Sequence, residues 1–120
     1  LTDVTPEMEA MKEEPFGPIA LVQRFSSLGD VLAESNRLPF GLAAYAWTGS
    51  ASNAAAVEDG VESGMLSINH QGLALIETPF GGVKDSGYGS EGGIEAMEPY
   101  LNTRFITHKV QAEEKFRRSA

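Results

Sequence analysis

Three runs of mostly apolar residues divide the first two thirds of the chain. They occupy residues 19–25, 42–48 and 65–69. Each run is short and nearly continuous in its apolar character, as is typical of a strand that is buried on both faces. The pattern therefore predicts three buried strands.

Helical patterns fill the two gaps between these runs. Ser27 begins a capping box that is followed by apolar residues at helical spacing. Either Ser50 or Ser52 can cap the second helix, and Gly64 is its predicted C-terminal stop. The resulting β-α-β-α-β order predicts an α/β fold with a parallel sheet and right-handed crossovers.

The two ends of the chain follow a different pattern. A short helix is predicted from Pro6 to about Lys12, and a second brief helix is predicted over residues 93–98. Residues 102–110 are rich in β-branched and aromatic side chains but also polar, which favours an edge strand or a subunit contact. Residues 111–120 are predicted to be a polar, frayed tail.

A glycine-rich segment, residues 79–93, stands out from this background; we call it the glycine loop. It reads PFGGVKDSGYGSEGG and contains a formal G-x-G-x-x-G match at residues 87–92. A dinucleotide fingerprint follows directly on a buried strand and opens a crossover helix, whereas residues 78–86 contain a proline, two glycines and two charges. A phosphate-binding role is therefore disfavoured, and a tight loop between packed elements is the simpler alternative.

A second segment, residues 13–18, combines charge, an aromatic ring and a rigid turn; we call it the acidic turn. Its sequence is EEPFGP. A carboxylate can accept hydrogen bonds from two vicinal ribose hydroxyls, and a neighbouring aromatic ring can form an apolar wall for a flat ring. Taken alone, the segment is more typical of an acidic helix end followed by an ordinary turn.

Together, the two segments resemble the C-terminal part of the NAD(P)-dependent aldehyde dehydrogenase superfamily. The resemblance runs from about Thr5 to about His108, and it includes the stretch SINH and the sequence TPFGGVKDSGYGSEGG. The amino-acid sequence of the glycine loop is most similar to that of the succinate-semialdehyde dehydrogenase branch. The resemblance implies oxidation of an aldehyde to a carboxylic acid with NAD or NADP.

The resemblance also implies roles for individual residues. Glu14 matches the glutamate that holds the nicotinamide ribose hydroxyls, and Phe16 matches the aromatic residue beside the same end of the cofactor. Phe80 matches an aromatic residue that lines the aldehyde tunnel. Glu91 matches an acid in the proton path that serves deacylation, and Asn69 matches a structural position near the catalytic loop.

The same resemblance implies a division of the chain. Residues 1–98 correspond to the C-terminal half of the catalytic domain, which contributes part of a parallel sheet. Residues 99–110 correspond to an oligomerisation strand that bridges subunits of a dimer or tetramer, and residues 111–120 form the polar tail. The implied partners are an aldehyde substrate and other copies of the same protein, with no metal ion.

Composition narrows the possible partners further. The formal net charge is −8, which repels the phosphate backbone of nucleic acids. No apolar run approaches the roughly 20 residues that a membrane span needs. We therefore expect neither nucleic acid nor a membrane as a partner, and we expect a cytoplasmic protein.

The chain contains no cysteine. The family reaction needs a cysteine nucleophile that forms a thioester, so the resemblance implies a fragment whose nucleophile lies elsewhere. The start at Leu1 rather than at methionine agrees with a processed chain or a piece of a longer one. We expect the isolated chain to be inactive and to bind NAD(H) weakly.

The residues before the glycine loop bear on the substrate. Family members that take carboxylate-bearing semialdehydes tend to have a serine a few residues before the P-F-G-G sequence. Here residues 72–76 are GLALI, without a polar side chain. An apolar wall leaves a substrate carboxylate desolvated, so we expect a preference for uncharged aldehydes.

Two alternatives remain open at the level of sequence. The chain could be a non-catalytic structural or regulatory partner that retains only the surface for subunit interaction. It could also belong to the related acyl-phosphate reductases. The resemblance of Glu14 and Phe16 to the cofactor-binding pair of the aldehyde dehydrogenases argues against that assignment.

Overall fold

The computed structural model describes residues 1–110. The predicted polar tail, residues 111–120, lies outside the described residues. In chain order, the regular elements are α1 (Leu28–Ser35), β1 (Phe40–Gly41), β2 (Ala43–Ala46), α2 (Ala51–Gly60), β3 (Met65–Ile68) and β4 (Val83–Lys84). Two 3₁₀ helices, Glu9–Met11 and Glu95–Tyr100, flank them.

Both α-helices begin where a serine caps them. The Ser27 hydroxyl accepts a hydrogen bond from the Asp30 amide at 3.1 Å, which confirms Ser27 as the N-cap of α1. The Ser50 hydroxyl accepts from the Asn53 amide at 3.3 Å, so Ser50 rather than Ser52 caps α2. Each cap satisfies one of the amides that a helix N-terminus leaves unpaired. Helix α2 ends at Gly60, four residues before the predicted stop.

A β-α-β unit forms the middle of the structure. Strands β2 and β3 pair in parallel, from Ala43 opposite Met65 to Ala46 opposite Ile68, with α2 as the crossover. The Asn69 amide extends the pairing by donating to the Ala46 carbonyl at 2.8 Å. This unit confirms two of the three predicted strands and the helix between them.

The first predicted strand, residues 19–25, is not formed. Within residues 19–25, pairing is limited to an isolated parallel bridge between Val22 and Thr2. Ile19, Val22 and Phe25 are each at least half exposed. A strand buried on both faces needs neighbours and cover, and the described part of the chain supplies neither here.

The sequence did not predict the second sheet of the structure. Strands β1 and β4 pair antiparallel, with Phe40 opposite Lys84 and Gly41 opposite Val83. The described residues therefore form two separate two-stranded sheets, not one parallel sheet of three strands.

Both predicted terminal helices are 3₁₀ helices with bounds that differ from the expected ones. The helix from Pro6 to Lys12 is reduced to the 3₁₀ helix Glu9–Met11. The helix over residues 93–98 is instead the 3₁₀ helix Glu95–Tyr100. Pro99 lies inside this helix, where its missing amide hydrogen prevents a regular α-helical ladder.

Residues 102–110 form no strand among the described residues, so this prediction fails for the chain by itself. All nine residues are exposed. A strand needs a neighbouring strand to satisfy its amides and carbonyls, and the described chain places none beside this segment. The oligomerisation role and the boundary at residues 98 and 99 stay predictions.

The buried apolar core is small for the part of the chain that is described. It consists of Val4, Val57 and Met65, and it adjoins the buried hydroxyl of Ser67, which donates to the His70 carbonyl at 2.7 Å. Large apolar side chains such as Phe16, Tyr88 and Phe105 are almost fully exposed. Among the described residues, no helix is both long enough and apolar enough to cross a membrane.

Candidate functional site

The glycine loop folds back on itself. The Phe80 amide donates to the Glu91 carbonyl and the Glu91 amide donates to the Phe80 carbonyl, each at 2.7 Å. Between these residues the chain passes through β4 and then through Gly87 and Gly89, which have positive φ angles. The two ends of the loop are thereby held side by side.

This geometry differs from a dinucleotide phosphate loop. The residues before the G-x-G-x-x-G sequence form the two-residue antiparallel strand β4, and the element after it is the 3₁₀ helix Glu95–Tyr100. A dinucleotide fingerprint requires a buried parallel strand before the motif and an α-helix whose N-terminus faces the phosphates. The local structure therefore agrees with the tight-loop interpretation.

Gly92 shows why the loop needs glycine. Its φ angle is +65°, and a Cβ atom added there would lie 2.7 Å from the Thr78 carbonyl oxygen. A second close approach brings the main chain of Gly64, before β3, against that of Gly81. Side chains at these positions would force the loop away from the sheet.

A cleft of about 390 Å³ lies along the loop. Phe80 and Glu91 line it together with Leu42, Pro99 and Tyr100. The Phe80 side chain is 38% exposed, so its ring partly covers the cleft, and Glu91 is exposed. The structure thus brings together the aromatic residue and the acid that the sequence analysis had singled out on this segment.

A second cleft of about 700 Å³ adjoins the first. Glu13, Glu14 and Pro15 of the acidic turn line it. Leu42 and Ser86 line both clefts, so the two share a wall.

Phe16 is not brought into either cleft. Its side chain is 93% exposed, and it lines neither the cleft at the acidic turn nor the one at the glycine loop. Glu14 therefore lines a cleft that Ser86 of the glycine loop also lines, whereas Phe16 lies in solvent.

Polar contacts fix β4 and the start of the glycine loop. The Ser86 hydroxyl accepts from the Gly41 amide at 2.9 Å, and the Asp85 amide donates to the Pro39 carbonyl at 2.9 Å. The Lys84 ammonium donates to the Asn36 carbonyl at 3.2 Å and forms an ion pair with Glu62. Sequence reasoning missed Lys84, because only the folded chain brings residues 36 and 62 next to residue 84.

Asn69 has a structural role. Its side-chain oxygen accepts from the Thr48 amide at 2.8 Å, and its side-chain nitrogen donates to the Thr48 carbonyl at 3.0 Å. The amide group thus imitates one more residue pair of the β2–β3 sheet. The φ angle of Asn69 is +62°, a conformation that asparagine tolerates better than most residues.

The two histidines of the chain are exposed and line none of the clefts described above. His70 Nδ1 accepts a hydrogen bond from the Gly72 amide at 3.1 Å. Within residues 1–110, no group of three or more histidine, aspartate and glutamate side chains is arranged to hold a metal ion.

Comparison with known proteins identifies the family. The profile described as "Aldehyde dehydrogenase family" matches residues 1–106. A 4-(hydroxymethyl)benzenesulfonate dehydrogenase of Comamonas testosteroni is 49% identical over 106 residues, which are 88% of this chain and 22% of that protein.

Solved structures agree. An aldehyde dehydrogenase of Brucella melitensis biovar abortus 2308 superimposes with a TM-score of 0.81 at 43% identity, over 88% of this chain and 22% of that one. An indole-3-acetaldehyde dehydrogenase of P. syringae, solved in complex with NAD+, superimposes with a TM-score of 0.78 at 31% identity, over 82% and 20%. The chain spans about a fifth of the length of these relatives, and it belongs to the aldehyde dehydrogenase family.

Proposed function

We propose that the protein to which this chain belongs oxidises an aldehyde to a carboxylic acid with NAD+ or NADP+, through a thioester on a cysteine. The main support is the Phe80–Glu91 bridge, which sets an aromatic wall and an acid on one cleft of a chain that belongs to the aldehyde dehydrogenase family. The chain has no cysteine, so the nucleophile has to come from outside these residues.

The proposed cofactor residues are Glu14 and Phe16. Glu14 is exposed, lines the 700 Å³ cleft, and has no hydrogen bond or ion pair to another side chain within residues 1–110. A free carboxylate at the mouth of a cleft fits a ribose diol, since both of its oxygens can accept. The bound cofactor would supply the hydride acceptor. The exposed ring of Phe16 is available to cover the nicotinamide end, although it does not line the cleft in the chain alone.

The proposed roles on the other cleft follow the same reasoning. The partly exposed ring of Phe80 offers an apolar surface to the aldehyde, and the exposed carboxylate of Glu91 can accept and return a proton during hydrolysis of the thioester. The backbone bridge holds both residues at fixed positions relative to each other.

The substrate is proposed to be an uncharged aldehyde. Leu75 and Ile76 are exposed in the apolar stretch that leads to the glycine loop, and the Gly93 amide donates to the Ile76 carbonyl at 3.2 Å. The stretch therefore lies beside the end of the loop and presents no polar side chain that could pair with a substrate anion. The Comamonas relative is named for a sulfonated substrate, so the preference needs a direct test.

Subunit association is proposed to use residues 99–110. This segment exposes Tyr100, Phe105 and Ile106, and the main chain of residues 102–110 makes no hydrogen bond within the described chain. Pairing with a strand of another copy would satisfy both features.

One experiment tests the proposed function. The full-length protein is assayed for NADH or NADPH formation with benzaldehyde and with 4-sulfobenzaldehyde, and the isolated chain is assayed in parallel. We expect turnover only from the full-length protein, with the higher kcat/KM for benzaldehyde. Failure of the full-length protein to oxidise either compound contradicts the activity, a higher kcat/KM for the sulfonate contradicts the substrate class, and turnover by the isolated chain contradicts the need for an external nucleophile.

A further inference from the structure

Lys84 makes an unusual set of contacts for a lysine. Its ammonium donates to the carbonyls of Asn36, at 3.2 Å, and Leu38, at 3.5 Å, and it pairs with the Glu62 carboxylate. Its side chain is only 26% exposed, and its own main chain has a φ angle of +56°. A non-glycine residue in this conformation is retained where the surroundings hold it in place.

The turn that receives the ammonium is itself anchored. The Asn36 side chain donates to the Gly60 carbonyl at 2.6 Å and accepts from the Glu62 amide at 2.9 Å. It therefore ties the end of α1 to the end of α2. Lys84 is thus attached to a junction of two helices and not to a free loop.

The same turn also reaches toward the acidic turn. Arg37 holds Glu34 with hydrogen bonds of 3.0 to 3.1 Å, and its guanidinium donates to the Met11 carbonyl at 2.7 Å. Met11 lies three residues before Glu14. Residues 36–38 consequently contact the segment that leads into the acidic turn through Arg37 and the glycine loop through Lys84.

We propose that Lys84 is a positioning residue that sets the glycine loop, and with it Phe80 and Glu91, against the helix junction at residues 36–38. Arg37 of the same junction positions the segment that carries Glu14 through its hydrogen bond to the Met11 carbonyl. This inference rests on the proposed function, because it assigns the loop to the aldehyde and the acidic turn to the cofactor. It predicts that Lys84 affects the Michaelis constant for the aldehyde, whereas Arg37 affects the Michaelis constant for the cofactor.

The physical basis is the cost of leaving the junction unpaired. Loss of the Lys84 ammonium would leave two partly buried carbonyls and one carboxylate without their donor. It would also remove the contacts that hold Lys84 itself in its positive-φ conformation. Lys84 is four residues from Phe80, and the bridge passes any shift of Phe80 directly to Glu91. Within residues 1–110 the Arg37 side chain makes its hydrogen bonds to Glu34 and Met11 and none to the loop, so its loss should leave this path intact.

The kinetic test compares Lys84→Met with Arg37→Met in the full-length protein, using benzaldehyde and NAD+ as the varied substrates. We expect Lys84→Met to raise the KM for benzaldehyde about tenfold, which corresponds to ~1.4 kcal/mol, and to leave the KM for NAD+ within about twofold. Arg37→Met should show the reverse split. Lys84→Arg should recover most of the loss, and Lys12→Met serves as the matched control, because within residues 1–110 the Lys12 ammonium forms one ion pair, with Glu9 at 3.8 Å.

A second measurement does not depend on activity. Amide hydrogen exchange in the same full-length variants should show faster exchange at Phe80 and Glu91 in Lys84→Met but not in Lys12→Met. Unchanged exchange at both amides, or equal changes of both Michaelis constants in Lys84→Met, would overturn the proposal. If the unmodified protein oxidises no aldehyde, the proposed function fails, and the exchange data still decide whether Lys84 positions the loop.

Discussion

Phe80 and Glu91 are joined through their main chains by two hydrogen bonds of 2.7 Å. Eleven positions apart in the sequence, they meet as a narrow antiparallel bridge at the neck of the glycine loop. Both side chains line the same cleft. A displacement of either end of the loop therefore moves the proposed aromatic wall and the proposed acid together.

The first prediction concerns Glu91. In the full-length protein, Glu91→Gln should lower kcat by about 10²-fold or more, as is typical for loss of a general acid or base. The burst of NADH in the first turnover should persist, because only hydrolysis of the thioester needs the proton path. Stopped-flow absorbance measures both quantities. Glu98→Gln, an exposed acid seven residues later, is the control, and loss of the burst in Glu91→Gln would contradict the assigned step.

The second prediction concerns Glu14. Glu14→Gln keeps the shape of the side chain but removes the charge that accepts the ribose hydroxyls, so the KM for NAD+ should rise by about tenfold, or ~1.4 kcal/mol. The KM for benzaldehyde should stay nearly constant. Steady-state kinetics checks both. Glu13→Gln is the matched control, since Glu13 lines the same cleft, and an equal effect of the two substitutions would show that overall charge rather than a specific contact is responsible.

The third prediction concerns Gly92. Gly92→Ala should destabilise the full-length protein by about 1–3 kcal/mol, because its φ angle is +65° and the new methyl group would meet the Thr78 carbonyl oxygen at 2.7 Å. Thermal unfolding measures the loss. Gly49→Ala is the control, since a Cβ atom at Gly49 meets nothing within 4 Å. Equal melting temperatures for the two variants would argue against the tight loop.

The fourth prediction concerns Asn69. Asn69→Ala removes both hydrogen bonds to Thr48 and places alanine at a φ angle of +62°, so it should cost about 2–4 kcal/mol in the free energy of unfolding. Asn69→Gly relieves the backbone strain and should cost less, because only the hydrogen bonds are lost. Denaturant unfolding of the full-length variants checks this order, and a larger loss for glycine than for alanine would show that the backbone conformation is not the cause.

The sequence by itself determined the local elements and the chemistry-bearing segments. Ser27 and the pair Ser50 and Ser52 predict where the two helices begin, because a cap needs only a side chain and an amide three residues away. The runs at residues 42–48 and 65–69 predict two parallel strands that pair with each other, because the helix between them is long enough for a crossover. The motifs at residues 13–18 and 79–93 were sufficient to indicate the family.

Only the tertiary structure decided how these pieces are arranged. Residues 19–25 have the composition of a buried strand but remain exposed, since pairing depends on neighbours that composition does not specify. The hydrogen bonds of Lys84 to Asn36 and Leu38 join positions 48 and 46 apart in the chain, and no local pattern encodes them. The physical reason is that hydrogen bonds between distant residues depend on which helices and strands pack together. Caps and turns, in contrast, depend on the residues next to them in the sequence.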